Sequence, residues 1–126
     1  MEFVLLTKGL PEVEPKIRVY GQYVVFNAAA VALMGLHDGD YVQFAHPAYG
    51  MKKETYVRKT KKTVGSYIAR SRRCTMRVSS RKLSALLGAR LDGNGCYRIC
   101  PEDAVPDDDG TWYNIFFKNY DKKDSD

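Results

Sequence analysis

Four arginines fall within eight residues: Arg70, Arg72, Arg73 and Arg77. A guanidinium is a planar fork that donates two parallel hydrogen bonds, which suits phosphate oxygens and the edge of guanine. The flanking stretches "GSYIARS" and "CTMRVS" read as two strands around a turn at Ser71–Arg73. Side chains alternate across the faces of a strand, so such a hairpin can bring several guanidinium groups to one surface. Arg81 and Lys82 follow in the first turn of an expected helix. Cations there oppose the helix dipole, at about 0.3–1 kcal/mol each when exposed, a penalty that a phosphate contact would offset. Arg18 stands in an earlier hairpin, "KIRVYGQYVVF". The run "RKTKK", Arg58 to Lys62, is expected to be a solvated connection.

The charge distribution agrees with a polyanion as partner. The 126-residue chain has a formal charge of +5, but Lys52 to Arg98 holds fourteen Lys or Arg against Glu54 and Asp92. That segment carries +12 and the remainder −7, with acid gathered in "PEDAVPDDDG" and "DKKDSD". A split of this kind points to nucleic acid among polyanions.

Other chemistry has little to work with. Asp38 and Asp40 are explained by a turn, and Asp107 to Asp109 lack EF-hand spacing. Cys96 and Cys100 have C-x3-C spacing with no second pair, Cys74 stands apart, and His37 and His46 lie far upstream, so zinc is not expected. No glycine-rich phosphate loop and no nucleophile with its base can be assembled. The chain is expected to be non-catalytic and to hold neither metal nor cofactor. No apolar run has the length of a membrane span. The start "MEFVLLTKG" lacks the pattern of an export signal, so a cytoplasmic protein with free thiols is expected. Tyr67 and Tyr97 have the chemistry to stack on bases, but aromatic residues in short strands are more often core, and Trp112 and Phe116 are expected to pack inside.

Strands and two short helices hold the arginines in place. Residues 1–15 form a lead segment with an edge strand at Glu2–Leu6, and residues 121–126 a polar tail. A hairpin turns at Gly21-Gln22. Asn27 caps a helix over 28–34, Gly35 ends it and Leu36 folds back over its end. His37 to Asp40 make a tight connection, and strands follow at Tyr41–Ala45 and Thr55–Lys59. The order then recurs. Two strands lead to a cap at Ser79 or Ser80 and a helix over 81–87 with the stripe Leu83, Leu86, Leu87, closed by Gly88. After the turn "DGNG" come a short strand "CYRI", an acidic loop "CPEDAVPDDDG" and a last strand "TWYNIFFKN". "VFNAAAVALMG" therefore matches "RVSSRKLSALLG", and the chain reads as an internal duplication. A half with four short strands and one two-turn helix cannot cover its own edges. The expectation is one mainly β domain, a small closed or partly closed barrel of two pseudo-symmetric ββαββ halves, about 16–60 and 65–120.

The stretch "KIRVYGQYVVFNAAAVALMGLHDGDYVQFAH" resembles the AbrB/MazE-type swapped-hairpin domain, with "LHDGDYVQF" similar to its Gly-Asp box. The resemblance is clear over 16–59 and weak over 65–119, where Asn94-Gly95 replaces Gly39-Asp40. In that family two chains each contribute half a barrel and bind DNA through basic residues near the first hairpin. The resemblance implies the same for Arg18 and, in the second half, Arg70, Arg72, Arg73 and Arg77. Two departures stand out: both halves lie in one chain, which implies a monomeric pseudo-dimer or a homodimer, and Asn27 stands near the family's proline before the first helix. The leading expectation is a regulator or antitoxin-like repressor of duplex DNA. The alternatives are a protein-interaction module and a binder of single-stranded nucleic acid or RNA on a barrel face.

Overall fold

The structure, a computed structural model, describes residues 14–48 and 54–121. The edge strand expected at Glu2–Leu6 lies outside the described residues, as do most of the loop after His46-Pro47 and the tail from residue 122. Among the described residues there are nine strands and two helices. In chain order they are β1 (Lys16–Tyr20), β2 (Tyr23–Phe26), α1 (Ala28–Met34), β3 (Tyr41–Ala45), β4 (Thr55–Thr60), β5 (Ser66–Ile68), β6 (Arg70–Arg72), β7 (Thr75–Ser79), α2 (Arg81–Arg90), β8 (Gly95–Asp107) and β9 (Gly110–Ile115).

The strands form one sheet in the order β5-β3-β4-β9-β8-β1-β2-β7-β6. Its two end strands are consecutive in the chain and are joined by the single residue Ala69. The Ala69 N–H donates to the Asp40 carbonyl at 2.8 Å, and its own carbonyl accepts from Gly39 N–H at 2.9 Å. One bent strand, β5-Ala69-β6, thus pairs with β3 before the bend and with β7 after it. β8 does the same on the other side, pairing with β1 through Arg98 and with β9 from Ile99 onward. The sheet curls into a nearly closed barrel. All pairings are antiparallel. β1 pairs with β2, β3 with β4, β6 with β7 and β8 with β9; β2 pairs with β7, β4 with β9, β1 with β8 and β3 with β5.

The inner face follows from period-2 alternation. Ile17, Val19, Val24, Phe26, Val42, Val57, Met76, Val78, Tyr97, Ile99 and Ile115 are buried together, and Ala30, Met34, Leu83 and Leu87 from the helices join the same core. Asn27 caps α1, its side-chain oxygen accepting from Ala30 N–H at 2.9 Å and from Lys16 N–H at 3.0 Å. The amide group of that side chain also donates to the Glu14 carbonyl at 2.9 Å. Asn27 therefore ties the helix start to the start of β1. Gly35 is left-handed (φ 62°) and Leu36 folds back, its N–H reaching the Val31 carbonyl at 3.0 Å.

Four expectations are corrected. α2 runs through Gly88 to Arg90, and Leu86 is 58% exposed. Its buried residues are Leu83, Ser84 and Leu87, because the helix leans on the sheet by a face rotated toward Ser84 and away from Leu86. The acidic stretch is no loop: it is the far end of β8, paired with β9 after an irregularity between Cys100 and Val105. That break lets Pro101 sit in a strand without the N–H that a ladder needs. Trp112 points outward, since Tyr113 and Ile115 take the inner face of β9. Phe116 and Phe117 lie beyond the strand and are exposed. Finally, "RKTKK" is only partly a connection. Arg58 and Lys59 belong to β4: Arg58 donates to the Gln43 side chain at 2.8 Å and stacks over Trp112, and Lys59 reaches the Gly35 carbonyl at 2.9 Å.

Candidate nucleic-acid interface

The outer face of β8-β1-β2-β7-β6 carries the residues that alternate with the core. In β1 these are Lys16, Arg18 and Tyr20, with Ile17 and Val19 turned inward. The register places Cys96, Arg18, Val25, Arg77 and Arg70 opposite one another on five successive strands. Directly opposed residues in a sheet project from the same face. Arg18, Arg77 and Arg70 thus form a row, which spans about 14 Å from β1 to β6 at the usual strand spacing. On one side of it the next row is Tyr20, Tyr23 and Ser79; on the other, Lys16 pairs with Arg98 and Thr75 with Arg72.

The environment of each cation differs. Arg77 stacks over the Tyr23 ring, 4.5 Å from its centroid, which fixes the guanidinium against the sheet. Arg70 is exposed and lies 3.7 Å from Asp38, whose other oxygen accepts from Ser71 N–H at 2.8 Å. Arg18 makes an ion pair with Asp121 at 2.7 Å. Arg72 and Arg73 are exposed at the β6–β7 turn and make no ion pair among the described residues. That turn lies one residue later than expected, at Arg73-Cys74, and Arg73 takes the left-handed conformation with φ 58°.

Arg81 and Lys82 are exposed in the first turn of α2, behind the cap Ser80. Ser80 N–H donates to the Gln22 carbonyl at 2.8 Å, so this pair sits at the Gly21-Gln22 end of β7. Arg72 and Arg73 sit at its other end, about 17 Å away along a strand of that length. The seven cations are one row with two outlying pairs, not one compact cluster.

Several further neighbours join these cations, of which only Lys16 carries a sequence signal. Tyr23 as the stacking partner follows from the β2–β7 register, and Lys16 from simple alternation with Arg18. Asp121 and Tyr120 arrive from the far end of the chain: Tyr120 N–H donates to the Cys96 carbonyl at 2.8 Å, and the Lys16 ammonium stands 4.4 Å from the Tyr120 ring. Of the tyrosines considered earlier, Tyr97 is fully buried, donating to the Gly93 carbonyl at 2.5 Å, and burial raises its pKa. Tyr67 packs half-buried against the core.

Cys100, Glu102 and Asp103 bring one ligand atom each within 4.8 Å of one another. Burial raises the Cys100 thiol, and Arg98 already holds Glu102 through two hydrogen bonds of 2.6 and 3.2 Å. That chemistry favours a closed ion pair over a cation. Asp107 is likewise engaged, accepting from Asp108 N–H, Trp112 Nε1 and Arg58, which hold its carboxyl below the ordinary value. No helix among the described residues is long and apolar enough to cross a membrane.

No family model, curated protein or solved structure matches the chain.

Proposed function

We propose that the chain is a non-catalytic nucleic-acid-binding regulator, with duplex DNA as its first ligand. Its two halves are read as tandem swapped-hairpin units closing one pseudo-dimeric barrel. The observation that carries this reading is the row Arg18–Val25–Arg77–Arg70 across four strands. Its breadth of about 14 Å is comparable with the roughly 12 Å major groove, so its end cations reach phosphates on both walls. Arg72 and Arg73 extend the same face at a hairpin tip narrow enough to approach base edges.

A single-stranded ligand is the second reading, favoured by Tyr20. It is 43% exposed on the same face, beside Tyr23, with centroids 5.8 Å apart, and exposed rings between cations stack on unpaired bases.

Fluorescence anisotropy on a labelled random duplex, titrated with salt, tests the proposal. Three to five phosphates neutralised give a log–log slope of about −3 to −5. Arg72→Ala combined with Arg73→Ala lowers affinity without moving the thermal melt. Absence of binding at low salt would end the proposal, and a tighter complex with single strand of equal length would favour the second reading.

A further inference from the structure

Asn119 is only 2% exposed although it lies seven residues from the end of the chain. Its amide nitrogen donates to the carbonyls of Asp92 and Asn94 at 3.1 and 2.9 Å, and its oxygen accepts from Cys96 N–H and Asp121 N–H at 3.3 and 2.9 Å. Gly95 makes the notch: a Cβ there would lie 2.1 Å from the Asn119 amide, and the residue has φ 153°. The notch fixes where the following two residues emerge, which is on the basic face. Tyr120 lies against Lys16, and the Asp121 carboxylate meets Arg18 at 2.7 Å.

A carboxylate oxygen at that distance from a guanidinium stands where a phosphate oxygen would stand. Arg18 is one end of the cationic row, so a negative charge held there opposes the face it sits on. Both partners are about half exposed, 50% and 44%, and exposed ion pairs are weak. A phosphodiester can therefore displace the carboxylate.

We infer that Asp121 is a built-in competitor: it occupies a phosphate position at Arg18, and nucleic acid must displace it to use the whole row. This rests on the reading of the face as a nucleic-acid site. It makes Arg18 a phosphate contact that is masked in the free protein, and it makes the C-terminal segment a regulator of affinity.

The test is a double-mutant cycle on duplex binding by the full chain, using anisotropy with the labelled random duplex. Asp121→Asn keeps the shape and the backbone bond to Asn119 while removing the charge. It raises affinity about three- to tenfold at low salt and steepens the log–log salt slope by about 1, the effect of one added phosphate contact. Arg18→Ala has a small effect in the native background and abolishes the gain in the Asp121→Asn background. Unchanged affinity and slope in Asp121→Asn, with the native chain binding, overturn the competitor while leaving the nucleic-acid reading intact. If neither chain binds, the nucleic-acid reading falls and takes the competitor with it. Equal thermal melts for the native and Asp121→Asn chains exclude a folding effect.

Discussion

Two turns of the same length, each between directly paired strand residues, show what a single residue contributes. Tyr20 pairs with Tyr23 across Gly21-Gln22, and Arg72 pairs with Thr75 across Arg73-Cys74. The first residue of each turn is left-handed, Gly21 at φ 54° and Arg73 at φ 58°. Glycine adopts that region freely, whereas a residue with a Cβ is strained there by about 1 kcal/mol or more. The tip of the basic hairpin thus holds an arginine where glycine is the comfortable choice. Arg73→Gly is expected to raise the stability measured by urea unfolding by up to about 1 kcal/mol and to weaken duplex binding in the same preparation. A loss of stability would show that Arg73 is there for packing. Gly21 could be read as a turn because glycine advertises one. Arginine carries no such signal, so the second turn is placed a residue early from sequence. The Arg18–Asp121 contact, 103 residues apart in sequence, leaves no local trace at all.

At the scale of elements, capping chemistry is legible except at Gly88, which lies inside α2, and burial is less so. Asn27, Ser80, Gly35 and Gly39 do what their side chains or their lack of one imply. The leucines of α2 were harder, because i, i+3, i+4 spacing fits several faces of a short helix. Leu86→Ala should cost little, within about 0.5 kcal/mol. Leu87→Ala, at 2% exposure, should cost roughly 2–5 kcal/mol. Equal losses in urea unfolding would contradict this orientation. The turn into β3 makes a separate prediction about pH. Burial raises the Asp40 pKa, but the His37 N–H at 2.7 Å and the Lys59 ammonium at 3.3 Å outweigh it, and the carboxyl lies below its ordinary 3.8. A depressed carboxyl stabilises the fold above its unfolded pKa, and that contribution is lost as pH falls through the folded value. Asp40→Asn should therefore be the less stable chain at pH 7 and at about pH 5, with the gap narrowing as pH is lowered below the ordinary 3.8. Urea midpoints at these pH values check it; a gap independent of pH would show that charge is not what Asp40 contributes. For the acidic stretch 101–109 the obstacle is physical: two prolines and a run of aspartates argue against a strand, yet the irregularity between Cys100 and Val105 accommodates Pro101, while Pro106 and Asp107 pair with Thr111 and Gly110.

For the whole molecule, the mainly β class, the two helices and the nearly closed barrel follow from edges that short strands cannot leave bare. What no local pattern could supply is which strands close the ring, since that depends on Ala69 and β8 each serving two partners. The face that results is also a whole-molecule property: Arg18 and Arg70 share a row only because β1, β2, β7 and β6 lie side by side. The pairing of β1 with β8 has a temporal consequence. β1, near the start of the chain, finds one neighbour at once in β2, but its other neighbour is β8, roughly eighty residues later. During synthesis the first hairpin must wait for β8 before its outer edge is paired. Assembly is slow to begin and concerted once begun, as expected where contacts are distant in sequence.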